Sequence, residues 1–452
     1  MELAACETPR EKEAFLKVID LHRLLNSKIK AEHFASFCSK RLDLPVLSVE
    51  TLATIIVSLQ KFAAEPDVVT CIRECFCAKR NVACLLLKDK VDAKFPMFDL
   101  IYHRIRSNSE REFILKHFET EAAVLRASST FSPPIKLLCD IDDTMLAALF
   151  DTRYPELTVY PGVHQFAQEL LQRSAMDGLP SHTCGDLTDS VETLEAGKTS
   201  IKSKKDVQRV AFLTARPDFL RKRSLQELRA CGFQHFTLLM GRFANMWGSQ
   251  RIASGKLKNF VRFKRVFAEH RFVFVGDNGQ GDIDLGKELL TNFHLYAVSA
   301  VLIHDVIRNH SSDKILSQPS YRGIECHQSG IRSFRTYIGA SFHLYAIGLI
   351  PLGAVIRVVE KTVLAYAAIV FDSQEQKRNL AQEILADVAA VVNELPDQQA
   401  MALVSSLHDD LINNGEKKLD EQKKRRLTRE EELHRRLETV RKSAVMHVHD
   451  LA

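Results

Sequence analysis

The sequence predicts an α/β protein: a doubly wound, mostly parallel, Rossmann-like sheet with helical regions at both ends of the chain. Three observations lead there. Apolar runs of strand length at 135–139, 210–213, 236–240, 272–275 and 297–303 alternate with helical stretches, the signature of a parallel sheet wound by crossover helices. The turn-rich segment Ser129-Thr-Phe-Ser-Pro-Pro134 separates these runs from an N-terminal part that has none. Polar, acid-rich peptides follow three of the runs, and in open α/β sheets ligands sit at the carboxyl ends of the strands.

Residues 1–130 read as helices. Phe15, Val18, Ile19, Leu21, Leu24 and Leu25 follow the helical period, as do Leu52, Ile55, Ile56, Leu59 and Phe62, with Ser48 as a cap. Residues 131–310 carry the strand–helix alternation and form the catalytic unit. It is interrupted at 174–206 by a Ser-, Thr-, Gly- and Lys-rich stretch that reads as a flexible insertion. Residues 311–452 read as a helical C-terminal region ending in a charged tail helix. Within it, the apolar stretch 337–356 is long enough to span a bilayer. Gly348 and Pro351 interrupt it and Arg335 and Arg357 bracket it, so two core helices meeting near Pro351 are favoured over a membrane span.

The 452 residues accommodate several domains of about 100–200 residues each. With 46% hydrophobic and 26% charged residues, the chain is neither disordered, collagenous nor a multi-span membrane protein. Of the net charge of +5, the segment 416–442 supplies 11 Lys/Arg against 7 Asp/Glu. The remainder is near neutral, unlike a nucleic-acid binder, and no nucleic-acid partner is expected. The tail reads as a solvated helix, with a surface for anionic lipid or an acidic partner as the sharper alternative. The opening MELAACETPREKEAF has no apolar h-region, so a cytoplasmic protein with reduced thiols, peripheral to membranes at most, is expected. Cys71, Cys75 and Cys77 form C-x3-C-x-C in a helical pattern. Buried thiols are favoured over zinc, because no matching Cys or His pair accompanies them.

The chemistry is concentrated at the strand ends. The first run leads into Asp140-Ile-Asp142-Asp143-Thr144. One carboxylate can attack phosphorus while another handles a proton, and a shared divalent cation can neutralise phosphoryl oxygens. The second run ends in Thr214-Ala-Arg216-Pro217. The hydroxyl suits a phosphate oxygen, and the guanidinium offers a fork for phosphate or an acidic head group. The fourth runs into Gly276-Asp277-Asn278-Gly279-Gln280-Gly281-Asp282, whose carboxylates suit Mg²⁺. Lys256 lies on the helix before that strand, with Lys258 as a rival. Taken singly these motifs also suit turns, caps and solvated surface; their order and strand-end context make a site.

This set resembles the haloacid dehalogenase (HAD) superfamily. The resemblance implies Asp140 as nucleophile and Asp142 as general acid/base, with Thr214 and Lys256 holding the phosphoryl group. Thr144 and Arg216 fall on the substrate, and Asp140, Asp142 (through its carbonyl), Asp277 and Asp282 hold Mg²⁺. A closer likeness is to the catalytic domain of actin-patch-type phosphatidate phosphatases. It is carried by DIDDT at 140–144, Tyr160-Pro-Gly-Val163, Thr214-Ala-Arg-Pro217, Gly255-Lys-Leu257, 276–282 and Ile303-His304-Asp-Val306. It spans roughly 135–310. Thr214 stands in place of Ser, Asn278 in place of Ser and His304 in place of Arg. The implied activity is Mg²⁺-dependent phosphomonoester hydrolysis through an aspartyl-phosphate. The substrate is phosphatidate or another lipid phosphate, met at a membrane surface through the basic tail. A soluble or protein phosphatase of the same superfamily, or a non-catalytic scaffold, are the alternatives. Only 65 residues separate Thr144 from Val210, short for a large folded cap, so an open site for a bulky substrate is expected.

Overall fold

The computed structural model describes residues 8–177, 209–241, 248–279, 281–293, 297–307 and 330–396. Among the described residues, six N-terminal helices of ten residues or more come first: α1 (Pro9–Val18), α2 (Lys28–Arg41), α3 (Val49–Leu59), α4 (Pro66–Cys77), α5 (Asn81–Lys94) and α6 (Asn108–Ala127). Their starts follow one grammar. Thr8, Ser27, Ser48 and Ser107 each accept a hydrogen bond from the backbone amide three residues on, which satisfies one of the amides a helix leaves open. The expected single helix through Leu25 breaks at Ile19, where the backbone turns extended. Cys71 and Cys75 are buried free thiols of α4, with Cys77 half-buried.

The α/β part then runs β1 (Ile135–Cys139), α7 (Val163–Asp177), β2 (Val210–Pro217), α8 (Arg221–Ala230), β3 (Phe236–Gly241), α9 (Ser249–Val266), β4 (Arg271–Asp277), α10 (Asp282–Asn292) and β5 (Val298–His304). A short β6 (Ile331–Phe334) and helices α11 (Tyr337–Ala346), α12 (Leu352–Ala367) and α13 (Gln374–Val392) follow. The six strands form one all-parallel sheet in the order β3-β2-β1-β4-β5-β6. All five expected strands are present. β6 lies beyond residue 310 and pairs with β5; at four residues with Arg332 and Ser333 half-buried, it gives no apolar run to read. Pro351 caps α12, and Gly348, at φ +73°, makes the turn after α11. No helix among the described residues is long and apolar enough to cross a membrane. The helix α7 continues to Asp177, into the start of the 174–206 segment. The rest of that segment and the charged tail lie outside the described residues.

Both faces of the sheet are covered, so the central strands are buried along nearly their whole length and mostly apolar. Leu138, Phe272 and Phe274 face a core shared with α9, α10 and the N-terminal helices. Their neighbours Leu137, Cys139, Val273 and Val275 face one built with α7, α11, α12 and α13. The N-terminal helices also meet the sheet through buried charges. Lys136 on β1 donates to Asp92 on α5 at 3.0 Å, and Lys88 on α5 donates to Glu269, just before β4, at 2.5 Å. All four side chains are under 5% exposed. The Lys136 ammonium also lies 4.1 Å from the centre of the Phe267 ring, an attraction that strengthens when water is excluded.

Removing one member of a buried pair strands the other, at about 3–5 kcal/mol. Lys136→Met should therefore destabilise strongly, whereas Lys136→Met with Asp92→Asn should recover most of the loss, since Asn keeps the acceptor that Asp92 offers to Met97 N. Urea unfolding of both single variants and the double variant measures this; losses that simply add would show that the pair is not coupled.

Candidate active site

The strand order reverses between β1 and β4, the switch point at which open α/β sheets bind ligands. Asp140 leaves β1 there, its amide bonded to Val275 O of β4 at 2.9 Å. Asp277 ends β4, and Asp282 opens α10 after the turn. One carboxylate oxygen of each lies within 4.8 Å of those of the other two, and all three residues are buried. Gly276 makes this approach possible: a Cβ there would sit 2.7 Å from Asp282 Cβ. Gly281, at φ +84°, takes the left-handed conformation that lets the chain turn into α10.

Lys256 supplies the only cation of the cluster among the described residues. Its Nζ lies 3.0 Å from Asp140 Oδ1 and 2.6 Å from Asp282 Oδ1. Lys258, two residues on and so round the helix, is exposed, which settles the choice between them. Burial pushes Asp140 well above the usual carboxylate range; Lys256 opposes this, and Asp282 and Asp277 add to it. Burial and Asp282 raise Asp277 to about 7. Asp282 is raised by burial against the pull of Lys256. Burial disfavours the Lys256 ammonium, but Asp140 and Asp282 outweigh it and hold it above its ordinary value.

Three buried carboxylates against one ammonium leave negative charge that burial makes costly. Three buried polar atoms of this region have no hydrogen-bond partner: Asp140 Oδ1, which ion-pairs with Lys256, Asp277 Oδ2 and Thr144 Oγ1. Hard oxygen donors with spare lone pairs fit a divalent cation, so Asp140, Asp277 and Asp282 could hold a metal ion.

The other expected residues are placed as follows. The register pairs Cys139 with Phe212, which brings Thr214 of β2 one step past the level of Asp140; it is buried, and its Oγ1 accepts from Arg216 N at 3.1 Å. Asp142 is not among the carboxylates that come together. Its side chain is gripped by Arg216, Nε to Oδ2 at 2.9 Å and Nη2 to Oδ1 at 2.5 Å. Arg216 Nη1 is held from behind by Glu227 at 2.5 Å and Ser224 at 3.2 Å. The fork expected to meet substrate thus faces the expected acid/base.

Several residues that position these were not singled out from sequence. Asp143, at φ +54°, takes a left-handed conformation that Asp tolerates better than most residues. Its carboxylate collects the backbone amides of Ala148, Leu149, Phe150 and Asp151 at 2.7–3.4 Å. The second Asp of a D-D pair often anchors a turn, and that signal was readable. His304 is buried, stacked on Phe334, with Nδ1 2.9 Å from the Asp143 carbonyl and Nε2 2.8 Å from Arg153 Nη2 and 3.2 Å from Arg335 O. The guanidinium can only donate, and its Nη1 already serves Arg335 O, so Nε2 accepts from Arg153 and Nδ1 carries the hydrogen to Asp143 O. Asn278 accepts from Val306 N and Ile307 N, both at 3.0 Å, and donates to Asp305, tying the turn after β4 to the end of β5.

The chain matches no known protein family, curated protein or solved structure.

Two outcomes follow. An unpaired buried hydroxyl costs about 1–3 kcal/mol, so Thr144→Val should leave the unfolding midpoint unchanged or raise it while lowering any activity of the site; a clear drop in the midpoint would reveal a structural partner for Oγ1. Burial, reinforced by Arg153, holds His304 down to about 4 against an ordinary 6.5. The unfolded chain therefore takes up the proton first, and the stability that neutral His304 contributes is present above pH 6.5 and lost as pH falls toward 4. Relative to His304→Asn, wild type should lose about 1.4 kcal/mol per pH unit in that window, read from urea midpoints.

Proposed function

We propose that the chain is a Mg²⁺-dependent phosphomonoester hydrolase of the haloacid dehalogenase type, acting through an aspartyl-phosphate on Asp140. The observation that carries this reading is the uncompensated charge at the switch point: three buried carboxylates, one lysine, and a further carboxylate, Asp142, held just outside. Bound Mg²⁺ would supply the positive charge that keeps Asp140 ionised and screens the phosphoryl oxygens.

The chain's own residues then divide the work. Asp140 attacks phosphorus, the bond to the ester oxygen breaks, and Asp142 gives that oxygen its proton. Water next attacks the phosphorus of the aspartyl-phosphate. Asp142 takes the water's proton, and the bond to Asp140 breaks to regenerate the carboxylate. Lys256 and Thr214 hold phosphoryl oxygens. Asp142 works only when its bidentate pair with Arg216 opens, and an arriving phosphoryl oxygen is the acceptor that draws the guanidinium away.

A lipid phosphate, phosphatidate among them, is the substrate class favoured. Leu149 and Phe150 after β1, Phe219 after β2 and Ile307 after β5 are all exposed, and all lie at the carboxyl edge of the sheet. Exposed apolar side chains gathered round a polar site suit a ligand with an apolar body. The enzyme acts from the cytoplasm, at a membrane surface.

Phosphate release tests both levels. Wild type should release phosphate from phosphatidate in mixed micelles only with Mg²⁺, and Asp140→Asn should cut turnover by a factor on the order of 10⁴ or more while folding normally. Release from an aryl phosphate but not from phosphatidate would keep the mechanism and remove the lipid. Near-wild-type turnover in Asp140→Asn, or no Mg²⁺-dependent release from either substrate, would overturn the enzyme reading.

A further inference from the structure

The loop that follows Asp142 is held from the C-terminal part of the chain, which the family resemblance does not cover. Arg153 is the hub. It grips Asp151 through Nε at 2.9 Å and Nη2 at 2.7 Å, and donates from Nη1 to Glu383 of α13 and to Arg335 O, each at 2.9 Å. Its Nη2 also donates to His304 Nε2 at 2.8 Å. Tyr160 Oη adds a bond to Asp151 at 2.9 Å. His304 in turn donates to the Asp143 carbonyl at 2.9 Å, and that carbonyl belongs to the residue after Asp142. Two further C-terminal side chains reach the same loop: Tyr337 Oη donates to Thr144 O at 2.7 Å, and Gln376 Nε2 to Thr152 O at 2.8 Å.

The geometry is a chain of directed bonds, Glu383 to Arg153 to His304 to the Asp143 main chain. Every member is buried or nearly so; the Glu383 side chain is 1% exposed and that of Arg153 9%. Asp143 sits at a positive φ, a conformation that persists when its surroundings over-determine it. Its carboxylate is fixed by amides of its own loop, but its carbonyl is fixed by His304. That carbonyl lies in the peptide joining Asp143 to Thr144, so its bond fixes the chain on the far side of Asp143 and with it the turn that Asp142 enters. We propose that His304 and Glu383 are positioning residues: through Arg153 and the Asp143 carbonyl they hold Asp142 in register with Asp140, so α13 is part of the working site. This rests on the hydrolase reading for its effect on rate, but not for its effect on the loop.

The two nitrogens of His304 separate the roles. Asn places an amide nitrogen where Nδ1 is and keeps the donor to Asp143. Gln reaches the Nε2 position and keeps an acceptor for Arg153, but loses that donor. His304→Gln should lower kcat tenfold to a hundredfold, the scale on which a misplacement of about 1 Å acts, with KM little changed; His304→Asn, which keeps the bond to Asp143 but gives up Arg153, should fall less, by about tenfold at most. Glu383→Gln should likewise retain turnover that Glu383→Leu loses. Hydrogen exchange read at the amides of 148–151 gives a measure free of turnover: faster in His304→Gln and Glu383→Leu, less so in His304→Asn, unchanged in Glu383→Gln. Equal kcat and equal exchange in the two His304 variants would overturn the proposal. If wild type and Asp140→Asn turn over alike, the hydrolase reading falls, and the exchange comparison still decides the clamp.

Discussion

Everything at the carboxyl end of the sheet depends on one electrostatic constraint: Asp140, Asp277 and Asp282 are packed against each other, out of water, around a single ammonium. Lys256 cannot balance three ionised carboxylates, and burial shows the strain by pushing all three toward their protonated forms. Such a cluster is stable in two ways, by taking up protons or by taking up a cation. The chemistry proposed for Asp140 needs the second, because a protonated carboxyl is no nucleophile. The glycines around it answer the same constraint. Gly276 gives way so that Asp282 can come close, and Gly281 turns the chain so that Asp282 starts α10.

Asp142 stands apart from this cluster, and its separation is built. The Arg216 fork takes both of its oxygens, while Glu227 and Ser224 steady the fork from behind. On the main-chain side, the next residue is held by His304 and by four successive loop amides. The side chain of Asp142 is thus released by breaking one ion pair at the edge of the site, whereas its backbone is released only by dismantling a buried network that reaches α13. A mobile head on a fixed stem is what the acid/base role proposed for Asp142 requires.

The sheet was legible in the sequence because both of its faces are buried. That makes each strand a continuous apolar run, and each acidic motif falls where such a run stops. Lys256 was legible only up to the choice with Lys258, since facing on α9 is a tertiary fact. β6 was not legible: four half-apolar residues at an edge make no periodic signal. The clamp was not legible either. Arg153 and Glu383 are 230 residues apart, and His304 was visible only as a replacement in a motif, with no hint that its ring turns inward. Asp143 was the missed opportunity. It was in plain view in the D-D-T run, where an acid that anchors a turn is the ordinary expectation.

The two ends of the same strands show why the charge imbalance points to a site and not to ordinary buried polarity. At the amino end, β1 and β4 also carry buried charges, Lys136 and the Glu269 that precedes β4. There each finds one partner of opposite sign, Asp92 and Lys88, at hydrogen-bond distance. Buried atoms without a hydrogen-bond partner occur at both ends, among them Glu269 Oε1 and both ring nitrogens of His270 at the amino end. The ends differ in the ratio of acids to cations: Lys136 and Lys88 each have an acid of their own, whereas Asp140, Asp277 and Asp282 meet the single Lys256. The unmatched end is the one where parallel sheets receive ligands. A cation arriving there would redress the ratio of acids to cations, as Lys136 and Lys88 do at the amino end.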